Sequence, residues 1–198
     1  MGDQVVDHLE ATRAAVAIPV PGKLGKHPTD GYTEAKWELV SRFAVSVDKA
    51  SVASMTPAQL LAAFLGGVSA DRVALHKSLD DSFESAVTLA DPEAWRSVQS
   101  KIAQHFADVG EVADAIAAEA KGRGLGILAS IMVRANANEA ELVHLTSELL
   151  AARQRLAGAY EDAELKQAAE ALKGKVSALV GSVVETLAEL RCEGEDME

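Results

Sequence analysis

The sequence predicts an all-α fold, a multi-helix bundle of about six to seven helices with a long C-terminal heptad-patterned helix or helical hairpin and a Pro/Gly-rich N-terminal arm. Three observations lead there. Apolar residues make up 48% of the 198 residues but aromatic ones only 4%, and Ala dominates the apolar share, which favours close-packed helices over a sheet. Apolar positions recur at steps of three and four over most of the chain. The early Pro and Gly residues cluster in one stretch, and two later prolines sit where helices would start.

The length suits one domain with an appendage and is enough to bury a core. Residues 1–31 read as an N-terminal helix and extended arm, 32–191 as the helical bundle, and 192–198 as an acidic tail. In the first segment Val5, Val6, Leu9 and Val16 share one side of a short helix. Residues 18–32, IPVPGKLGKHPTDGY, then hold Pro19, Pro21 and Pro28 with three glycines around Leu24. Proline removes amide donors and fixes extended backbone, so this stretch is expected to be a strap over its own domain or an arm exchanged with a neighbouring copy.

Trp37, Val40, Phe43, Ala44, Val47 and Ala50 predict a helix from Thr33 to about Ser54. Thr56-Pro57-Ala58-Gln59 opens the next, with a threonine cap, proline at the first helical position and glutamine at the capping-box position. It carries Leu60, Leu61, Phe64 and Leu65 and is expected to stop at Gly66-Gly67. Ser69 would cap a third helix with Val73, His76, Leu79, Phe83 and Val87 along one face. Asp91-Pro92 restarts a helix through Trp95, Val98, Ile102, Phe106, Val109, Ala113, Ile116 and Ala120. Residues 121–126, KGRGLG, terminate it. Residues 127–135 read as a short buried helix, after which Asn136 and Asn138 would cap the C-terminal stretch.

That stretch, 138–191, carries the longest heptad seam: Leu142, Leu145, Leu149, Ala152 and Leu156, then in a shifted register Leu165, Ala169, Leu172, Val176, Leu179, Val183, Leu187 and Leu190. An unbroken helix of this length would reach about 80 Å, against a radius of gyration of about 16 Å for a compact chain of this size. A rod would outrun its own domain, so a bend or break is expected at 158–162, where Glu161, Asp162 and Glu164 suit a new first turn. Gly174 and Gly181 lie opposite the seam, which suggests close backbone approach on that face.

The formal net charge is −11, and more than half of the excess lies in 139–198. A surface of that sign lacks the cationic footprint that binding nucleic acid as the main partner requires. The single cysteine, Cys192, cannot form an internal disulfide and suits a reduced, cytoplasmic setting or the inside of a larger intracellular or viral assembly. The N-terminus lacks an apolar run, so no secretory signal is expected. The longest uninterrupted apolar run, 125–133, is about half the length that spans a bilayer, which predicts no membrane span.

No catalytic residue, metal site or cofactor is expected. His76 with Asp80, His105 with Asp108, and His144 with Glu141 and Glu148 each pair one helical turn apart. Glu141 and His144 match one Glu-x-x-His element of the kind di-iron bundles use, but no second element completes it. Gly122-x-Gly124-x-Gly126 follows a helix instead of a strand and lacks the context of a phosphate loop. Trp37, Trp95, Phe43, Phe83 and Phe106 fall at helical spacing and read as core anchors.

The expected function is non-enzymatic. The leading expectation is a structural or assembly subunit that self-associates through the helical seam, with Pro19, Pro21, Leu24 and Pro28 in a possible exchanged arm. The alternatives are an adaptor or chaperone receiving a helix of another protein, and a metal protein using His76, His105, Glu111 and the Glu141/His144 pair.

Overall fold

In the computed structural model the described residues are 40, 42–89 and 92–195, and they form an all-α structure of five α-helices, four of them long. A 3-10 turn at Lys49–Ser54 leads to α1 (Pro57–Ala62), which runs through a π-helical segment (Ala63–Val68) into α2 (Ser69–Leu89). Then follow α3 (Pro92–Gly122), α4 (Gly126–Gly158) and α5 (Ala163–Glu195). The expected N-terminal helix, the arm with Pro19, Pro21, Leu24 and Pro28, and Trp37 lie outside the described residues.

The long helices alternate in direction. Phe83 on α2 meets Trp95 on α3, and His76 meets Phe106, so α2 and α3 are antiparallel. Arg134 and Asn138 on α4 pair with Glu189 and Thr186 on α5, which makes the last two helices an antiparallel hairpin. Helices α2 and α4 run parallel, since Arg72 reaches Asn136 and His76 reaches Glu139. Helix α5 packs chiefly on α4, and α4 in turn on α3.

Several local signals act as read. Thr56 accepts the Gln59 amide and Gln59 accepts the Thr56 amide in return, with Pro57 at the first position, so both orphan amides are satisfied. Pro92 opens α3. At the end of α3, Gly124 takes φ +83°. There the Leu125 amide donates to Ala120 and the Gly124 amide to Lys121, a Schellman ending that satisfies two orphan carbonyls. The break falls where expected: α4 ends at Gly158, and Asp162 accepts the amides of Glu164 and Leu165 to start α5.

Four expectations are corrected. The helix expected over 33–54 is absent from 42–48, because Ser46 donates both its amide and its hydroxyl to Asp71, and Asp48 instead caps the 3-10 turn at Ala50. These side-chain bonds give the backbone a local alternative to helix. Gly66-Gly67 is no terminator: the helix widens to a π-turn and continues. A Cβ on Gly67 would collide with Val47, so glycine there lets the 42–48 segment lie against the helix. Ser69 is therefore no N-cap; it sits in helical backbone and its hydroxyl donates to the Phe64 carbonyl. Finally, Asn136 and Asn138 cap nothing, because α4 is continuous from Gly126 and both side chains bond across to other helices.

The main core lies between α3, α4, α5 and the π-helical segment and includes Leu60, Phe64, Val68, Val109, Ile116, Met132, Leu142, Leu149, Val176, Val183 and Leu190. A second cluster of Val40, Leu79, Phe83, Trp95, Val98, Ile102 and Leu150 closes the other end of α2 and α3. The stretch Pro57–Glu84 is the one helix among the described residues long and apolar enough to cross a membrane by length and composition; 39% of its apolar window is buried inside this fold.

Candidate functional site

The predicted seam is occupied within the chain. Leu142, Leu149, Leu156, Val176, Val183, Leu187 and Leu190 are buried, while Leu145, Leu165, Leu172 and Leu179 are half-buried. A heptad pattern needs a facing helix, and after the break at 159–162 each half of the stretch supplies it to the other. By contrast, on the outer face of α5 a Cβ added to Gly174 or Gly181 would have no atom of the described residues within 4 Å.

The histidines separate. His105 bonds the Val40 carbonyl through Nε2 at 3.0 Å, packs tilted against the Phe43 ring with centroids 5.0 Å apart and lies 3.8 Å from Asp108. His144 is exposed and pairs with Glu148 at 3.6 Å, and Glu141 is exposed beside it. Glu111 pairs on the surface with Lys49 at 2.9 Å. Among the described residues no three His, Cys, Asp or Glu side chains gather as a metal would require.

His76 is different. Its Nε2 meets Glu139 on α4 at 3.3 Å, and both side chains are almost fully buried. Two turns of charge surround this pair. Arg72, 4% exposed, lies one turn earlier on α2 and donates to the amide oxygen of Asn136. The Asn136 amide nitrogen donates onward to Asp114 at 2.6 Å and to the Gly110 carbonyl at 3.4 Å on α3. One turn after His76, Asp80 faces Arg153, whose guanidinium stands 5.1 Å over the Phe83 ring.

These placements move the titrations. Burial pushes the Asp80 carboxyl up to about 6, opposed by His76 and Arg153 and reinforced by Glu84 and Asp81. Burial pushes Glu139 the same way, but the His76 hydrogen bond and the charges of His76 and Arg72 outweigh it and hold this carboxyl below its usual value. Burial lowers the Arg72 guanidinium, against the pull of Glu139 and Asp114.

This polar seam opens outward. A groove of about 340 Å³ runs between α3 and α4, with Arg72, Asn136 and Glu139 inside it. Ala103, Phe106, Ala107, Gly110, Ala140 and Val143 form apolar walls, and Glu111 and Asp114 add two more carboxylates. Sequence reading singled out His76 and Glu111 but missed Arg72, Asp114, Asn136 and Glu139. The usable signal was register: Val68, Arg72, Leu75, His76, Leu79 and Phe83 fall on one apolar stripe, and Glu139 continues the stripe of Met132, Ala135 and Leu142. No family model, curated protein or solved structure matches this chain, so the residues themselves carry the functional argument.

Proposed function

We propose that the protein is a non-enzymatic structural or assembly subunit that associates with further copies through its helical surfaces, with the outer face of α5 as the principal contact. The observation that carries this reading is the composition of that face. Ala171, Gly174, Ala178, Gly181, Glu185 and Ala188 recur at alternating steps of three and four, all exposed except the half-buried Gly181. Glycine inside a helix costs about 1 kcal/mol relative to alanine, and among the described residues no close contact offsets that cost at Gly174 or Gly181. A face without bulk lets a second backbone approach closely, which compensates through dispersion along the contact. The leucine seam serves the hairpin, so association uses the opposite side of the same helix. An exchanged arm carrying Pro19, Pro21, Leu24 and Pro28 is a second contact under this reading.

Sedimentation equilibrium tests it. The wild type is expected to weigh a multiple of one chain with a concentration-dependent mass, and Ala178→Arg is expected to sediment as one chain with unchanged helix content. A wild type that remains one chain at high concentration overturns the reading.

A further inference from the structure

We infer that the groove between α3 and α4 binds a small zwitterion with an apolar side chain, of the α-amino-acid class, its carboxylate on Arg72 and its ammonium facing Asp114. The proposal is independent of association through α5.

The first support is an incomplete donor set. A guanidinium carries five N–H donors, and the hydrogen bond the structure gives Arg72 is to the neutral amide of Asn136. Among the described residues its remaining polar company is electrostatic, from Glu139 and Asp114, with the Phe64 ring 5.9 Å away. A charged group this buried is costly unless its hydrogen bonds are completed, and Arg72 lines an open groove through which a carboxylate reaches it.

The second support is the sign of the neighbours. Glu111, Asp114 and Glu139 also line the groove; Glu111 pairs with Lys49 and Glu139 with His76, but Asp114 is bonded by the neutral Asn136 amide, so a ligand carrying only negative charge meets an uncompensated carboxylate. A ligand carrying only positive charge meets the Arg72 guanidinium and leaves its donors unmet. A molecule with both charges satisfies both sides. The Asn136 amide already displays the required polarity: its oxygen accepts from Arg72 and its nitrogen donates to Asp114. An ammonium and a carboxylate on one carbon present the same acceptor and donor order, and charge strengthens each bond.

The third support is size and lining. The groove lies at the small end of the range for ligand pockets, and Ala103, Phe106, Ala107 and Val143 offer an apolar wall for a side chain.

The test is thermal unfolding and titration calorimetry of the full chain with L-leucine, isoamylamine and isocaproate, which share the alkyl group and carry both charges, the cation alone and the anion alone. L-Leucine is expected to raise the unfolding midpoint with dose, and each single-charge compound to bind at least about tenfold more weakly, the equivalent of one charge-assisted hydrogen bond. Ala107→Phe fills the groove from its exposed rim and is expected to abolish leucine binding without moving the ligand-free midpoint. Asp114→Asn is expected to weaken leucine about tenfold and leave isocaproate no weaker. The proposal is overturned if leucine neither shifts the midpoint nor gives heat, if either single-charge compound equals leucine, or if Ala107→Phe binds leucine as the wild type does.

Discussion

The α4–α5 hairpin and the α2–α4 interface use one helix in two ways. In the hairpin with α5, α4 buries Leu142, Leu149 and Leu156, and polar pairs such as Arg134–Glu189 bridge the two helices at the surface. Toward α2, it presents Asn136, Glu139 and Arg153, and the contact is a ladder of buried charge with Arg72, His76 and Asp80. The hairpin gains stability chiefly from buried apolar area. The polar ladder gains only when its buried members are paired, because Arg72, His76 and Glu139 are almost wholly withdrawn from solvent and a charge left unpaired among them is costly. The first kind of contact suits a scaffold, and the second suits a place where a ligand or partner is recognised.

Changes on the two sides sharpen that contrast. The largest effect is expected from Glu139→Gln, which takes from His76 its bonded carboxylate and from Arg72 one of its two carboxylate neighbours and should cost about 3 to 5 kcal/mol; urea unfolding at neutral pH measures it, and a loss under 1 kcal/mol would mean that the ladder is solvated. Leu149→Ala, 3% exposed in the hairpin, should cost about 3 kcal/mol by lost burial and cavity formation. Its cost should be independent of pH, unlike that of Glu139→Gln. Glu139 is held below its usual pKa, so its contribution is present above that value and fades as acid protonates the folded carboxyl.

The smallest effect has the opposite sign. Burial raises the Asp80 carboxyl from its ordinary 3.8 to about 6 in the folded state, so between these values the folded state holds a proton that the unfolded state has lost. Stability therefore falls as pH rises from about 4 to 6 and stays lowered above. Asp80→Asn removes the ionisation and should gain about 1 to 3 kcal/mol at pH 7, with no gain at pH 4. A variant less stable than wild type at pH 7 would show that attraction to Arg153 and His76 outweighs burial.

The same contrast explains what was legible. The hairpin could be read because its cause is periodic: leucines at three and four, a register shift, and Asp162 with Glu164 to start the second helix. The end of α3 was legible for a similar reason, since Gly124 must adopt a left-handed backbone conformation. The polar ladder was not read, because Arg72, Asn136 and Glu139 are residue types that usually face water, and His76 has an acidic neighbour, Asp80, on its own helix as well as its bonded partner on α4. The misplaced boundaries share a cause. Gly67, Asn136 and Asn138 carry terminator or cap chemistry, but tertiary contacts with Val47, Asp114 and Thr186 use them inside continuous helices, and Ser69 bonds back to the Phe64 carbonyl of its own helix.

The central claim is that the leucine side of α5 is spent within the chain and its small-residue side is left for another copy. Multi-angle light scattering on wild type, Ala178→Arg and Leu179→Ala tests it most directly. The account predicts that Ala178→Arg alone reduces the mass to one chain, while Leu179→Ala lowers the unfolding midpoint and keeps the assembly. The reverse pattern, with the assembly lost in Leu179→Ala and kept in Ala178→Arg, would contradict it.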